Sequence, residues 1–318
     1  MFDDKNWQLA IAQAAARMAP YLEPTPLLPA RSLRELLGFS LYLKADCLQT
    51  TGSFKYRPAL ASILANLDEA KKRGVVTSSS GNFAVAVSHV AKMFDVRATI
   101  VTTPAVAQEK LDKARALGGN VVFCEPTYAA RQQLVDQIKA ETGAFELHSH
   151  SSVETIAGDA TCAQEILHDL PEVKTVIVPT SGGGLLAGIA LGIKQVNQEI
   201  RVFGVQSTGN DAFVRSFRAQ SVCTTAKVDT ICDGLVAAKP GPLGFDVALR
   251  HVDDMAAITD AEIAYATRLL VRNERLIVEP SGAVGIAALI SSAFKHFEPP
   301  VVVVLSGGNV DLRRLEAF

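Results

Sequence analysis

The sequence predicts an α/β protein with two open, largely parallel sheets, each flanked by helices. Three observations carry that prediction. From residue 74 onward, short apolar runs alternate with amphipathic helical stretches, as in βαβ units. The strand runs are apolar almost throughout, as strands covered on both faces must be. The spacing changes after about residue 145, so two sheets fit better than one.

"MFDDKNWQLAIAQAAARM" (1–18) begins with acidic residues and continues with helical spacing; it lacks the basic start and apolar block of a signal peptide. "GVVTSS" (74–79) reads as a strand, 83–94 as a helix, 97–103 as a strand and 107–118 as a helix closed by Gly118. A third strand covers 120–125, and a helix over 129–143 ends at Gly143. The second block gives a helix at 153–170, a strand at 174–180, a helix at 185–197 and a strand at 201–207. Helices at 260–274 and 283–294 precede a last buried strand at 301–306. The expected division is a small unit of residues 71–144 and a large one of residues 1–70 and 145–318. Open α/β sheets bind ligands beyond the carboxyl ends of their strands, so chemistry is expected in those loops.

The 318 residues are 48% hydrophobic and 20% charged, the balance of a well-packed globular chain, with a formal net charge of −2. No block of like charge points to nucleic acid or an anionic membrane. Cys47, Cys124, Cys162, Cys223 and Cys232 lack metal-ligand spacing and read as reduced thiols. No apolar run is long enough to span a bilayer, and a cytoplasmic protein is the expectation.

The most specific loop is in "VIVPTSGGGLLAGIA" (176–190), where three glycines follow a strand and open a helix. Backbone N–H groups at such a positive helix end cradle a phosphate. Gly182, Gly184 and Ala187 also satisfy the dinucleotide spacing, but that motif wants an acidic residue ending the next strand, which here ends in Gln206, Ser207 and Thr208. A single phosphate group is the favoured reading, with a plain glycine turn as its alternative. "TSSSGNFAVA" (77–86) gathers Ser78, Ser79, Ser80 and Asn82 at a helix start, suited to a carboxylate or to simple capping. "VVVVLSGGNVDL" (301–312) ends its strand at Ser306, and "LIVEPSGAVGIAAL" (276–289) sets Glu279 before a helix, with Ser281 read as a cap. In "TTGSFKYRPA" (51–60) a helix beginning near Pro58 leaves Lys55 at its mouth. Partial burial there would lower its pKa and free the amine as nucleophile or base, whereas an isolated lysine is more often solvated.

Taken together, "TGSFK", "SSGN", "PTSGGGLLAG", "EPSGA" and "SGGNVD" resemble, in order and spacing, the pyridoxal-phosphate enzymes of the tryptophan-synthase-β fold (fold type II), and most nearly their serine/threonine dehydratase and serine racemase branch. The resemblance runs from about "TPLL" (25–28) through nearly the whole chain. It implies a cofactor held between the two sheet units, the small one closing over substrate, in a homodimer. It implies that Lys55 forms the Schiff base, with Phe54 beside the cofactor and Ser181, Gly182, Gly183, Gly184 and Leu185 on the phosphate. Asn82 would meet the pyridine 3-hydroxyl, Ser306 the ring nitrogen, and Gly234 would lie along the cofactor near Glu279. Ser79, Ser80 and Asn82 would receive the substrate carboxylate, with Arg131 reaching toward the substrate. The implied activity is β-elimination from a hydroxy amino acid such as serine or threonine, giving a 2-oxo acid and ammonia. Racemisation, with Ser80 as proton donor opposite Lys55, is the alternative.

Several positions depart from the family pattern. Phe83 stands where histidine is usual and adds an apolar wall near the substrate carboxylate. Tyr56 and Pro58 are also changed, and with Phe83 they mark where substrate choice would differ. Gln206 replaces the acidic residue through which some racemases hold a divalent cation, so no metal is expected. His148 and His150 of "HSH" are read as solvated.

Overall fold

The computed structural model describes residues 3–79, 81–104 and 108–311. Ser80 lies outside the described residues. Helix α1 (Asp4–Met18) starts at Asp3, whose carboxylate accepts the Asn6 N–H at 2.8 Å. It buries Trp7, Ile11, Ala14 and Met18 at helical spacing. Strand β1 (Leu27–Pro29), helix α2 (Arg31–Leu37) and strand β2 (Leu41–Lys44) follow, and a tight 3₁₀ turn at Asp46–Leu48 leads into α3 (Tyr56–Ala65).

Helix α4 (Leu67–Arg73) carries the chain to a four-stranded sheet. Its elements are β3 (Val75–Ser78), α5 (Asn82–Met93), β4 (Ala98–Thr102), α6 (Gln108–Ala116), β5 (Asn120–Phe123), α7 (Tyr128–Thr142) and β6 (Phe145–Glu146). The strands are all parallel, in the order β5-β4-β3-β6. This sheet extends two residues past the boundary expected at 144, because β6 pairs with β3.

Helix α8 (Val153–Asp169) returns the chain to the larger sheet. There follow β7 (Thr175–Pro179), α9 (Gly184–Lys194), β8 (Arg201–Ser207), α10 (Ala212–Ala219), α11 (Pro242–His251), β9 (Asp254–Ile258), α12 (Asp260–Leu269), α13 (Pro280–Ile290) and β10 (Val301–Val304). The six strands run β1-β2-β10-β7-β8-β9, parallel except for the β1-β2 edge. The expected pair of open, largely parallel sheets is therefore present.

Three expectations need correction. The helix that follows Lys55 starts at Tyr56, two residues ahead of Pro58, which lies buried in its first turn. The long helix expected at 260–274 is α-helical only to Leu269, then widens into a π-turn at Leu270–Glu274 that Arg275 ends at φ +61°. Strands β1, β2, β6 and β9 add to those the sequence predicts. Each has five residues or fewer and is bounded at one end by a proline or a charged residue, Pro29, Lys44, Glu146 or Asp254, which leaves an apolar run too short to read.

Packing around α8 places the site. A Cβ on Gly188 of α9 would lie 2.6 Å from the Ile156 carbonyl, and one on Gly158 of α8 would lie 2.6 Å from the Ala61 Cβ of α3. Small residues thus let α3, α8 and α9 approach closely. Between α3 and α8 lies fully buried Arg57. Its Nε and Nη2 donate to Asp46 at 2.8 and 2.9 Å, and its Nη1 and Nη2 to Glu165 at 2.5 and 2.8 Å. Lys44 of β2 also pairs with Glu165 at 2.6 Å. Burial opposes ionisation of Asp46, but the Arg57 charge and hydrogen bonds outweigh it and hold the carboxyl below its usual range. Asp46→Ala leaves excess buried positive charge, so it is expected to cost about 3–5 kcal/mol, measured by denaturant unfolding against wild type.

Candidate active site

The site lies where the carboxyl ends of β7, β10 and β3 converge on the turn before α3. The backbone sets this convergence: Phe54 N–H donates to the Ser306 carbonyl at 2.9 Å, and Ser53 forms an isolated bridge with Gly307. The end of β10 is thereby fixed beside Lys55, the residue immediately ahead of α3. Lys55 Nζ donates to the Ser149 carbonyl. It stands 4.5 Å from the Phe54 ring centroid and 5.7 Å from that of Phe83. Burial pushes its pKa down to about 8, against the opposing pull of the Asp159 charge. A lysine so placed carries a substantial neutral fraction near physiological pH, as an amine nucleophile requires.

Beside it, the loop after β7 turns through Gly183 at φ +98°, a left-handed conformation open to glycine at little cost. A Cβ on Gly183 would also meet the Phe213 ring at 2.4 Å. The first intrahelical bond of α9 runs from Ala187 N–H to Gly183 O at 2.9 Å, so the N–H groups ahead of it have no acceptor within the helix. Ser181 Oγ accepts from Ala237 N–H at 3.2 Å, tying the loop to the segment that follows Gly234. Gly182, Gly184 and Leu185 complete a buried cradle at a positive helix end.

The other predicted residues divide into two groups. Asn82 at the start of α5 donates to Glu279 Oε1 at 2.7 Å and accepts from Asn309 Nδ2 at 3.1 Å. Gly234 lies near the same carboxylate: a Cβ there would be 3.5 Å from Glu279 Oε1. Ser306 is buried, and its hydroxyl has no hydrogen-bond partner among the described residues. Ser79 caps its own loop, its hydroxyl accepting from Gly81 N–H at 3.5 Å. Arg131 stands apart, bonded to Thr103 at 3.2 Å and making no hydrogen bond to the other predicted residues.

Two minor readings change. Ser281 is not a helix cap; its hydroxyl accepts from Gly234 N–H at 2.8 Å. Tyr56 is engaged with Tyr21, whose carbonyl accepts its hydroxyl at 2.9 Å, and with His89, edge-on at 5.8 Å. Among the described residues its hydroxyl makes no hydrogen bond to the predicted site residues.

Sequence reasoning missed several neighbours. Lys110 of α6 reaches across from the small sheet and donates to Asp233 at 3.0 Å and Glu279 at 3.1 Å. Burial works against the Lys110 charge, but Glu279 and Asp233 raise its pKa overall; burial keeps Glu279 above the usual carboxylate range. His148 is exposed as expected, but His150 is half-buried. Its ring fills the space beside Gly182, where a Cβ would meet Cδ2 at 2.2 Å, and burial, with the Lys55 charge, pushes its pKa down to about 4. Among the described residues no His, Cys, Asp and Glu cluster could hold a metal ion. Gln206 instead accepts the Val214 N–H at 2.9 Å.

Buried amine, aromatic walls and an anion cradle together define a site for an aldehyde cofactor carrying a phosphate, and comparison with known proteins identifies its class. A profile described as "Pyridoxal-phosphate dependent enzyme" matches residues 18–307, and the chain belongs to that family. It is 37% identical over 308 residues to a serine racemase of Oryza sativa subsp. indica, covering 95% of this chain and 91% of the relative. It is 35% identical over 306 residues to an L-threonine ammonia-lyase of Thermotoga maritima, covering 96% and 76%. The solved structure of maize serine racemase superposes with a TM-score of 0.92 at 38% identity, covering 97% of this chain and 96% of that one. The protein is therefore a pyridoxal-phosphate-dependent enzyme of fold type II. The site suits that cofactor: the N–H groups at the start of α9, without acceptors in the helix, suit a phosphate, and Lys55 offers a desolvated amine. Gly183→Ala must adopt a strained left-handed backbone and displace Phe213. It is expected to weaken pyridoxal-phosphate binding at least about tenfold, read by fluorescence titration of the cofactor-free protein.

Proposed function

We propose that the protein removes the β-hydroxyl and amino groups of a hydroxy amino acid such as serine or threonine, yielding a 2-oxo acid and ammonia. The observation that carries this reading is the amine of Lys55, desolvated between Phe54 and Phe83 and set beside the anion cradle of residues 181–185. Pyridoxal phosphate, when bound, supplies an electron sink for the bond broken at the substrate α-carbon. Lys55 would bind it covalently, then take the α-proton once the substrate amine has displaced it. Ser181, Gly182, Gly183, Gly184 and Leu185 would hold its phosphate, with Phe54, Gly234 and Glu279 along its body and Asn82 at its hydroxyl.

Ser306 would meet the ring nitrogen with a neutral hydroxyl. A neutral partner keeps less charge in the ring than a carboxylate would, which favours prompt loss of the β-hydroxyl. Ser79, Ser80 and Asn82 would receive the substrate carboxylate. Phe83 would exclude water beside Lys55, and Arg131 would approach the substrate as the cleft closes. The unit of residues 71–144 would act as that closing element against residues 1–70 and 145–318, in a cytoplasmic homodimer. Free thiols at all five cysteines are in keeping with a reducing compartment.

Serine racemisation is the second reading, favoured by the names of the rice and maize relatives. It needs the same Lys55 and a donor on the opposite face, for which Ser80 is the proposed residue. Lys55→Ala is expected to abolish the visible absorbance of the loaded protein together with all turnover. A coloured, active Lys55→Ala protein would overturn both readings. Incubation of wild type with serine and threonine in deuterated water separates them: 2-oxo acid release marks elimination, and α-deuterated substrate of inverted configuration marks racemisation.

A further inference from the structure

Under the proposed function Asn82 meets the cofactor hydroxyl, and an amide can do so with either end, its carbonyl or its NH2. Which end it offers is decided by its other contacts. Asn82 Nδ2 donates to Glu279 Oε1 at 2.7 Å, and Asn82 Oδ1 accepts from Asn309 Nδ2 at 3.1 Å. Two lysines of one helix, α6, hold the far ends of this row. Lys110 Nζ donates to Glu279 Oε2 at 3.1 Å, and Lys113 Nζ donates to Asn309 Oδ1 at 3.3 Å. Three residues apart, they lie on one face of the helix. Asn309 Nδ2 also donates to the Thr51 carbonyl at 2.7 Å, a group that can only accept.

Every contact in the row therefore pairs donor with acceptor in one sense. Turning the Asn82 amide over would set its carbonyl against the Glu279 carboxylate and its NH2 against that of Asn309. Lys110 and Asn82 together use both Glu279 oxygens, the pattern of an ionised, acceptor-only carboxylate. Glu279 is buried, and among the described residues Lys110 is its only ion-pair partner. Burial pushes this carboxyl up, the Lys110 charge pulls it down, and the Asp233 charge adds to the rise. Lys110 also pairs with Asp233 itself, at 3.0 Å. An amide nitrogen carries two hydrogens, and only Glu279 accepts from Asn82 Nδ2 among the described residues. One N–H is left to donate.

We infer that Lys110 is a positioning residue: reaching from the four-stranded unit, it holds Glu279 as the anion and so turns the Asn82 amide to offer an N–H, not its carbonyl, to the cofactor hydroxyl. Helices α5 and α6 must both be seated against Glu279 for that arrangement to form. The inference rests on the proposed Schiff base at Lys55 and on Asn82 as the partner of the hydroxyl. One arm of its test therefore uses bound cofactor, the other uses none, and neither uses substrate.

Pyridoxal phosphate bound through a Schiff base absorbs in the visible when its ring oxygen has lost the proton, and in the near ultraviolet when it keeps it. An N–H donor at that oxygen favours the first form. In full-length wild type saturated with cofactor the visible band should dominate. In Lys110→Met the ratio of visible to near-ultraviolet absorbance should fall at least about threefold, roughly the worth of one hydrogen bond. Read at saturation, the ratio does not follow affinity. Asp233→Asn removes the other ion pair of Lys110 but leaves the one to Glu279, so it should keep the wild-type ratio. Lys110→Gln, whose neutral amide can still donate, should move the same way by less, and it replaces the Met variant if that protein does not fold.

The second arm takes cofactor-free protein carrying asparagine labelled for nuclear magnetic resonance. The side-chain NH2 signals of Asn82, assigned by their loss in Asn82→Ser, should shift in Lys110→Met and stay in place in Asp233→Asn. A folded Lys110→Met protein whose ratio or Asn82 signals are unmoved, or an Asp233→Asn protein changed as much, overturns the inference. A wild type that gains no visible band, with its Asn82 signals still moved by Lys110→Met, would sink the proposed function and leave the orienting role standing. Substrates left unchanged by a protein that shows both shifts would sink the choice of reaction alone.

Discussion

The guanidinium of Arg57 is the constraint on which the placement of Lys55 depends. It lies two residues into the helix that Lys55 opens and is held from two sides, by Asp46 of the preceding turn and by Glu165 of α8. Because Glu165 also pairs with Lys44, the grip extends to β2 of the large sheet. Apolar packing would tolerate a small slide of α3 along α8. Charge-assisted, bidentate hydrogen bonds in a dry interior tolerate far less, since each lost contact exposes a buried charge. The result is a lysine whose backbone is fixed while its side chain stays free to change partners.

A second set of polar contacts joins the two sheets. Asn82, Lys110 and Lys113 belong to the four-stranded unit; Glu279 and Asn309 belong to the other, as does Asp233. They hold Asn82, the residue proposed to meet the cofactor hydroxyl, in a contact with Glu279. Separating the two sheets here would break these five polar contacts together. Polar bridges of this kind suit the proposed closing role of the four-stranded unit, because water replaces each bond as it is lost.

What the sequence made legible follows from where the information is local. The glycine loop at 182–184, the lysine at 55 and the apolar strands are each written in a few adjacent residues, and the structure assembles them at one end of the sheets. Pairings between distant residues carry no such local mark. Nothing near Lys110 announces Glu279, 169 positions away, and nothing near Arg57 announces Glu165. Two alternating histidines in a loop read as solvated, whereas the ring of His150 is set by the space over Gly182. Asp159 did leave a trace: a lone acid among Ile156, Ala157, Gly158, Ala160 and Thr161 has no helical reason to be there. Tyr56, by contrast, was an unusual residue whose explanation lies in packing against Tyr21 and His89.

The order of strands in the large sheet has a consequence for how the enzyme is made. The strand latest in sequence, β10, does not sit at an edge; it lies between β2 and β7. During synthesis on the ribosome, β2 therefore waits without its inner neighbour while more than two hundred further residues emerge. The four-stranded unit, whose strands are contiguous in sequence, can close long before that. The anion cradle and the lysine would thus be synthesised early but joined last, so a nascent chain halted before residue 301 holds the parts of a cofactor site without the wall that completes it.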